Sequence, residues 1–245
     1  MSDQFPSNVI ELDPDALDGQ ESALGEDSQS YTTSLKSSIL QYKYENGRRY
    51  HAEIKDKCDV PPNVKFEIDD VEEDWLYSTP FDYIHCRFMA GSLKDWPRLM
   101  RQAFQHTKPG GWVEFQDFEM RFYTNGGEFE PGSPLDKWCD ELIAGITGAG
   151  YDPEPGSKLK KWVEDAGFTN VTHKLLPIPT GTWPKDKKLK EIGAFDLVQF
   201  LEGLEAISMR TLTTLRGWSA EEVHVLLAKL REELKNPRMR LQHNM

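Results

Sequence analysis

The sequence has little of what secreted, metal-binding or membrane-spanning proteins need. Its three cysteines, Cys58, Cys86 and Cys139, lie far apart and form no C-x-x-C pair, which argues against a disulfide framework and a structural zinc site. No stretch approaches the ~20 apolar residues that span a bilayer. Residues 1–30 hold no Lys or Arg and no apolar run, unlike a secretory signal. We therefore expect a soluble protein, cytoplasmic or nuclear, with no membrane or metal partner.

Basic residues are also scarce, because 29 Lys and Arg face 41 Asp and Glu and leave a formal net charge of −12. Such a surface repels phosphate backbones unless a local basic patch exists. The densest run, Lys185 to Lys190, has four lysines in six residues and leads into an apparent helix. That arrangement is typical of a solvated helix face. We expect no nucleic-acid partner.

The first residues of the chain are acidic and polar. Residues 1–30 contain eight Asp or Glu and few apolar residues, too few to offset the entropy of ordering. The sequence therefore predicts a disordered acidic tail over residues 1–30 and one domain over residues 31–245. Apolar residues at helical spacing begin that domain and predict a short helix that ends near Asn46-Gly47.

The middle of the chain alternates strand-like and helix-like patterns. Asp95 is a predicted helix N-cap, with Pro97 in the first turn, and Lys108-Pro109-Gly110-Gly111 has the composition of a turn after that helix. Three segments have the alternation or β-branched and aromatic content of strands: Val64–Ile68, Phe81–Cys86 and Trp112–Phe115. Strand, helix, turn and strand in this order predict a parallel sheet.

The second half adds mainly helices. Helical patterns cover about residues 134–149, 157–166 and 189–215, and a last helix opens at Ser219 with Glu222 as a capping box. Residues 168–178 are predicted to form one further strand. From pattern alone the fold class is α/β, with helical additions at the C-terminal end.

Polar groups follow each predicted strand, where ligands of open parallel sheets bind. They are Asp69 and Asp70, then His85, Cys86 and Arg87, then Gln116 and Asp117. A carboxylate there can accept hydrogen bonds from a ribose or an adenine amine, or it can cap a helix or lie in solvent. A lone histidine is more often structural than catalytic, and Cys86 is better explained as a small buried hydrophobe than as a nucleophile.

An ordered set of segments resembles the fungal LaeA-like methyltransferases, S-adenosylmethionine (SAM)-dependent enzymes and regulators associated with secondary-metabolite gene clusters. The segments are Phe81–Arg87, Gly91-Ser92, Asp95-Trp96-Pro97 and Lys108–Glu114, with Tyr44–His51 and Pro62–Trp75 upstream. The turn alone is common to many methyltransferases, but the ordered set is more specific, and the similarity runs from about Tyr31 to the C-terminus.

The resemblance implies a Rossmann-like, doubly wound sheet of seven strands that carries SAM over its first four strands. Carried over by position, Asp69 or Asp70 is expected to contact the adenine end of SAM. His85, Cys86 and Arg87 are expected near the methyl donor and acceptor. Four further residues, Arg48, Arg49, Tyr50 and His51, are expected in a lid over SAM, and the methyl acceptor is expected to be a small molecule or a protein.

One interval departs from the family pattern. Family members have two βα units between the Arg-Arg-Tyr-His signature and the third-strand segment, and the first unit carries a G-x-G-x-G loop that approaches SAM. Here only residues 52–60 occupy the interval, and the chain contains no G-x-G-x-G run. Nine residues extend over at most ~30 Å, whereas a βαβ crossover takes about 30 residues. The sheet is therefore expected to be incomplete, without its first two strands.

Two functions fit these observations. The first is a SAM-dependent methyltransferase of fungal secondary metabolism or of its regulation, in which the short interval reflects a gene-model or splicing difference. The second is a non-catalytic methyltransferase-like protein that binds regulatory partners, such as velvet-type proteins.

Overall fold

The computed structural model describes residues 10–14, 43–45, 48–50, 63–125 and 130–245. The chain divides into two compact units, a smaller unit of residues 24–70 and a larger unit of residues 1–23 with 71–245. No helix within the described ranges is long and apolar enough to cross a membrane.

The smaller unit contains an antiparallel hairpin where a helix end was expected. Strand β1, Lys43–Glu45, pairs with strand β2, Arg48–Tyr50. The helix prediction is therefore wrong over residues 43–45. Asn46-Gly47, where the helix was expected to end, lies outside the described residues.

The strand predicted at Val64–Ile68 does not form. Residues 64–70 have no regular secondary structure and are exposed, and Phe66 and Ile68 are 66% and 107% accessible. Alternation of apolar residues describes a surface that a sheet can bury, but the strand itself requires the hydrogen bonds of a neighbouring strand. None of the described strands pairs with this segment.

The predicted strand–helix–strand unit is confirmed in the larger unit. Strand β3, Phe81–Arg87, lies parallel to strand β4, Thr107–Gln116, and helix α1, Trp96–Gln105, connects them. The Asp95 carboxylate accepts a hydrogen bond from the Arg98 backbone N–H at 2.9 Å, as an N-cap does. The expected turn at 108–111 is part of β4. The register shifts between the pairs Phe81–Thr107 and Tyr83–Trp112, and Gly110, with φ +82°, lies in the stretch of β4 where this shift occurs.

One face of this two-stranded sheet is covered by helices. Helix α3, Leu159–Asp165, follows a 3₁₀ turn at Gly156–Lys158 and packs beside α1, and Gly167 at φ +108° ends the segment, as predicted. The buried residues between sheet and helices are Leu93, Trp96, Leu99, Met100, Leu159 and Val163. Cys86 and Phe115 of the strands pack on the same cluster.

The rest of the larger unit is a helical layer with a second core. Helices α2, α4 and α5 span Pro134–Gly148, Lys187–Arg210 and Ala220–Leu234. A π-helical turn, Thr211–Leu215, extends α4, and the predicted capping box between Ser219 and Glu222 is present. Leucines from all three helices and the Trp138 ring fill this core.

A small antiparallel sheet closes the helical layer. Its order is β5–β7–β6, with β5 at Phe122–Thr124, β6 at Pro177–Pro179 and β7 at Leu241–Asn244. The buried His243 Nε2 lies 3.1 Å from Asp196 Oδ1, and the Thr180 hydroxyl donates to Asp196 Oδ2 at 2.6 Å. The first contact ties the central strand β7 to helix α4, and the second ties the residue after β6 to the same helix.

The strand predicted over residues 168–178 forms only at its end. Residues 168–176 have no regular secondary structure, and β6 begins at Pro177. Leu176 exchanges two backbone hydrogen bonds with Met245, at 2.8 and 2.9 Å. Residues 168–175 lie across a cleft from β4 and are not paired with its edge, so the ladder that a strand requires is missing.

A five-residue segment, Ile10–Pro14, packs on the larger unit, and we call it the N-terminal strap. Ile10 is buried, Leu12 forms a β-bridge with Pro184, and the Asp13 N–H donates to the Trp183 carbonyl at 3.0 Å. These residues differ from the disordered tail expected over 1–30, because a buried isoleucine and paired backbone groups offset the entropy of ordering. The remainder of that tail lies outside the described residues.

Candidate functional site

The carboxyl ends of β3 and β4 lie side by side. The polar residues that follow the two strands therefore lie at the same edge of the sheet, as the sequence predicted. Asp117, 3% accessible, accepts backbone hydrogen bonds from Met89 at 2.7 Å, Ala90 at 3.1 Å and Phe118 at 3.0 Å. Burial raises the pKa of this carboxyl, and the three N–H groups oppose the rise. Asp117 therefore fixes the loop that follows β3 against the end of β4.

The three expected residues at the end of β3 do not share one environment. Strand alternation places His85 and Arg87 on the exposed face of the sheet and Cys86 on the face that packs against α1 and α3. Burial, with a smaller effect of the Asp117 charge, raises the pKa of the Cys86 thiol to about 11. Cys86 is thus a partly buried residue that packs on the core, and of the three only His85 and Arg87 lie on the exposed face.

A cluster of three polar side chains on the exposed face includes two that the sequence did not single out. Tyr83 lies beside Trp112 and His85 beside Glu114 in the β3–β4 register. The Tyr83 hydroxyl donates to the Glu114 carboxylate, and His85 Nδ1 lies 3.1 Å from the same oxygen. These contacts, led by the Tyr83 hydrogen bond, lower the pKa of Glu114, and the same bond raises the pKa of Tyr83.

The sequence held a signal for this cluster. Residues two apart in a strand share a face, so pairing the two predicted strands brings Tyr83 and His85 next to Trp112 and Glu114. Finding it required the parallel register, which the strand patterns alone do not specify.

The remaining expected site residues belong to the smaller unit. Asp69 and Asp70 are exposed, and the Asp69 carboxylate accepts the Asp70 N–H at 2.9 Å. Because Val64–Ile68 is not a strand, neither aspartate lies at a strand end. Arg49 and Tyr50 lie in β2, where only the backbone is described.

The family resemblance implies a glycine turn between a strand and a helix, where the backbone approaches SAM closely. The G-x-G triplet Gly148-Ala149-Gly150 instead ends helix α2, with Gly150 at φ +87°. No described strand leads directly into a glycine-rich helix start. The described residues thus contain no glycine turn of this kind, although polar groups are present beyond the ends of β3 and β4.

Comparison with known proteins places these features in a family. The methyltransferase domain family matches residues 4–173. Methyltransferase pytC of Aspergillus terreus is 33% identical over an alignment of 302 residues that covers 93% of this chain and 91% of that protein. This alignment is longer than the 245 residues of the chain, so it includes positions of pytC that have no counterpart here.

The matches also include a fungal regulator and a solved structure. The secondary metabolism regulator LAE1 of Cochliobolus heterostrophus is 32% identical over 190 residues, which cover 76% of this chain and 62% of LAE1. A phosphoethanolamine N-methyltransferase 2 of Haemonchus contortus, solved with S-adenosylhomocysteine, aligns with 71% of this chain and 34% of its own at 19% identity and a TM-score of 0.34, too low to carry an argument. The chain therefore belongs to the methyltransferase domain family, with relatives among fungal methyltransferases and LaeA-type regulators of secondary metabolism.

Proposed function

We propose that this chain comes from a SAM-dependent methyltransferase of fungal secondary metabolism or of its regulation. In this proposal the chain as written lacks the two βα units that hold SAM, between His51 and Val60. Its larger unit keeps the part of the domain that follows those units, namely β3, α1, β4 and the C-terminal helices. The acceptor is a small molecule or a protein.

The observation that carries the proposal is the failure of Val64–Ile68 to form a strand. In the family order the first two strands lie between the third-strand segment and the counterpart of β3. Without them the third-strand segment has no ladder partner, which agrees with the 66% and 107% exposure of Phe66 and Ile68. The excess length of the pytC alignment supports the same interpretation.

The proposal has a direct consequence for activity. Methyl transfer depends on holding a sulfonium methyl in line with its acceptor, and oriented binding supplies much of the rate. A chain that does not hold SAM loses this contribution entirely. We therefore expect this polypeptide to be inactive until the missing units are restored.

The first prediction concerns SAM affinity. Translating the genomic DNA between the codons for His51 and Val60 should give a G-x-G-x-G loop and an acidic strand end. Calorimetric titration should show micromolar SAM binding to the longer protein and no saturable heat with the present chain. Saturable binding to the present chain, or a genomic interval without the loop, contradicts the proposal.

Substitution in the longer protein tests the adenine contact. Asp70→Ala should weaken SAM binding, whereas Glu67→Ala, which removes an exposed carboxylate from the same segment, should not. If the two variants bind SAM with equal affinity, Asp70 does not contact SAM.

A second function is favoured by the match to the regulator LAE1. In this alternative the chain is a non-catalytic methyltransferase-like protein that binds regulatory partners, for example velvet-type proteins. It predicts that the purified chain forms a stable complex with such a protein without SAM. The enzyme proposal predicts no such complex for the present chain.

A further inference from the structure

The chain turns sharply where β3 ends, and an aromatic residue makes this turn. Phe88 has φ +56°, one of three positive values among the non-glycine residues that the structure describes. Its N–H still donates to the Gln116 carbonyl at 3.1 Å, so the turn begins directly after the β3–β4 ladder. Glycine and asparagine adopt this conformation readily, whereas a bulky side chain is strained there. Because strain of this kind is concentrated at binding sites, the Phe88 side chain deserves a functional explanation.

Burial in the core does not explain the choice of phenylalanine. Phe88 is 51% accessible, so burial of its ring offsets little of the backbone strain. The Phe118 ring lies 6.3 Å from it between centroids, and the Arg87 guanidinium carbon Cζ lies 5.6 Å from the Phe88 centroid. We call Arg87, Phe88 and Phe118 the β3-end surface. It lies at the carboxyl end of the parallel strands, where open sheets of this kind bind their ligands.

The charge of the β3-end surface is positive. No ion pair joins Arg87 to a carboxylate within the described ranges, although acidic residues outnumber basic ones, 41 to 29. The nearby carboxylates already have partners. Glu114 contacts Tyr83 and His85, and Asp117 accepts three backbone N–H groups. An anion is therefore favoured over a cation at Arg87.

The side chains of this surface are suited to a flat ligand. A guanidinium is planar, stacks on an aromatic ring through its face and binds a carboxylate through two N–H groups at its edge. Stacking on Phe88 is therefore compatible with binding an anion at the same time. The two phenylalanine rings offer further contact area to an aromatic ring in an offset or edge-to-face arrangement. An aliphatic acid would leave the rings unused, and an amine would be repelled by Arg87.

We propose that the β3-end surface binds an aromatic carboxylate or a similar planar anion, with the anionic group on Arg87 and the ring against Phe88 and Phe118. As the site of the methyl acceptor, this surface rests on the proposed function and names the class of the acceptor. The binding itself requires neither SAM nor methyl transfer. A chain that fails to bind SAM can therefore still pass the test below.

Two naphthalene probes of opposite charge test the proposal on the full chain. Calorimetric titration at pH 7 should show 2-naphthoate binding more tightly than 2-naphthylmethylamine, and S-adenosylhomocysteine should not displace the naphthoate. Arg87→Gln should weaken naphthoate binding about fivefold, the upper end for an exposed ion pair. Arg87→Lys should recover only part of the loss, because lysine keeps the charge without the planar fork. Arg101→Gln is the matched control, since Arg101 is an exposed arginine of α1, which covers the other face of the sheet.

A change at Phe88 separates binding from structure. Phe88→Asn should weaken naphthoate binding without lowering Tm, because asparagine tolerates a positive φ and the lost ring is half exposed. Phe88→Leu replaces this variant if it unfolds. The proposal is overturned if naphthoate does not bind, if the amine binds as tightly, or if S-adenosylhomocysteine displaces naphthoate. It is also overturned if Arg101→Gln weakens binding as much as Arg87→Gln, or if the folded Phe88 variant keeps the original affinity.

Discussion

His85 and Cys86 are neighbours in the chain, but alternation along β3 gives them different chemistry. The His85 ring lies on the exposed face of the sheet beside Glu114, while the Cys86 thiol packs on the cluster beneath α1. Burial raises the pKa of Cys86 to about 11, so at pH 8 only ~0.1% of the thiol is ionised.

Cys86 should therefore alkylate slowly. In a brief iodoacetamide pulse at pH 8, the peptide that contains Cys86 should be modified roughly 200-fold more slowly than in urea, where the thiol pKa returns to ~8.5. Because the folded-state pKa is the higher one, the neutral Cys86 thiol makes its full contribution to the free energy of unfolding below pH ~8.5. This contribution declines as the pH rises from there toward 11. Mass spectrometry of the peptide measures the rate, and equal rates with and without urea contradict the assignment.

The sequence indicated the positions of His85 and Asp117 but not their roles. Residue type and place after a strand predicted polar groups at this edge of the sheet. Only the register showed that Glu114 joins Tyr83 and His85, and only the loop geometry showed that Asp117 binds three backbone N–H groups.

At the scale of elements, helix α4 passes very close to the segment that follows β6. A Cβ atom on Gly193 would lie 2.1 Å from the Gly181 carbonyl oxygen, a backbone atom that cannot turn away. The Gly181 N–H also donates to the Gly193 carbonyl at 2.8 Å. The absence of a side chain at Gly193 therefore permits this crossing.

Gly193→Ala should destabilise the protein by about 1–3 kcal/mol or more, because the added methyl forces helix and segment apart. Gly203→Ala is the matched control in the same helix, where the added carbon meets only Ile207 Cδ1 at 3.7 Å. It should stabilise by about 0.5–1 kcal/mol, since alanine has the higher helix propensity. Urea unfolding measures both, and destabilisation of equal size would refute the close crossing.

Helix ends that depend on neighbouring residues in the sequence were predicted correctly. Strands were predicted wrongly where their formation depends on a second strand to pair with. The Asp95 cap and the Ser219–Glu222 capping box depend on residues within one turn, and both are present. Val64–Ile68 and most of 168–178 have strand-like sequences but no paired neighbour among the described strands. Alternation describes the faces of a strand and carries no information about the strand beside it.

At the scale of the whole larger unit, the N-terminal strap joins distant parts of the chain. The Asn125 side chain donates to the Ile10 carbonyl at 2.9 Å, and the Lys185 N–H donates to the Glu11 carbonyl at 2.9 Å. Ile10 is 7% accessible, whereas the Glu11 side chain is 75% accessible in its ion pair with Lys185. Burial of Ile10 should therefore contribute more to stability than the Glu11 charge.

Ile10→Ala should cost about 2 kcal/mol and lower Tm by about 4–8 °C. Glu11→Gln should change Tm little, because an exposed ion pair contributes at most ~1 kcal/mol. Differential scanning calorimetry measures both. An unchanged Tm for Ile10→Ala would show that the strap does not stabilise the larger unit.

The place of β7 in the middle of the β5–β7–β6 sheet has a consequence for biosynthesis. More than a hundred residues separate Thr124 of β5 from Leu241 of β7. At 5–20 residues per second a ribosome therefore takes roughly 6–25 s after β5 to synthesise the central strand, with which both edge strands pair. During that time β5, and β6 once it has been synthesised, lack the central strand that pairs with their backbone groups. The nascent chain should therefore recruit chaperones until residues 241–244 emerge and the sheet closes.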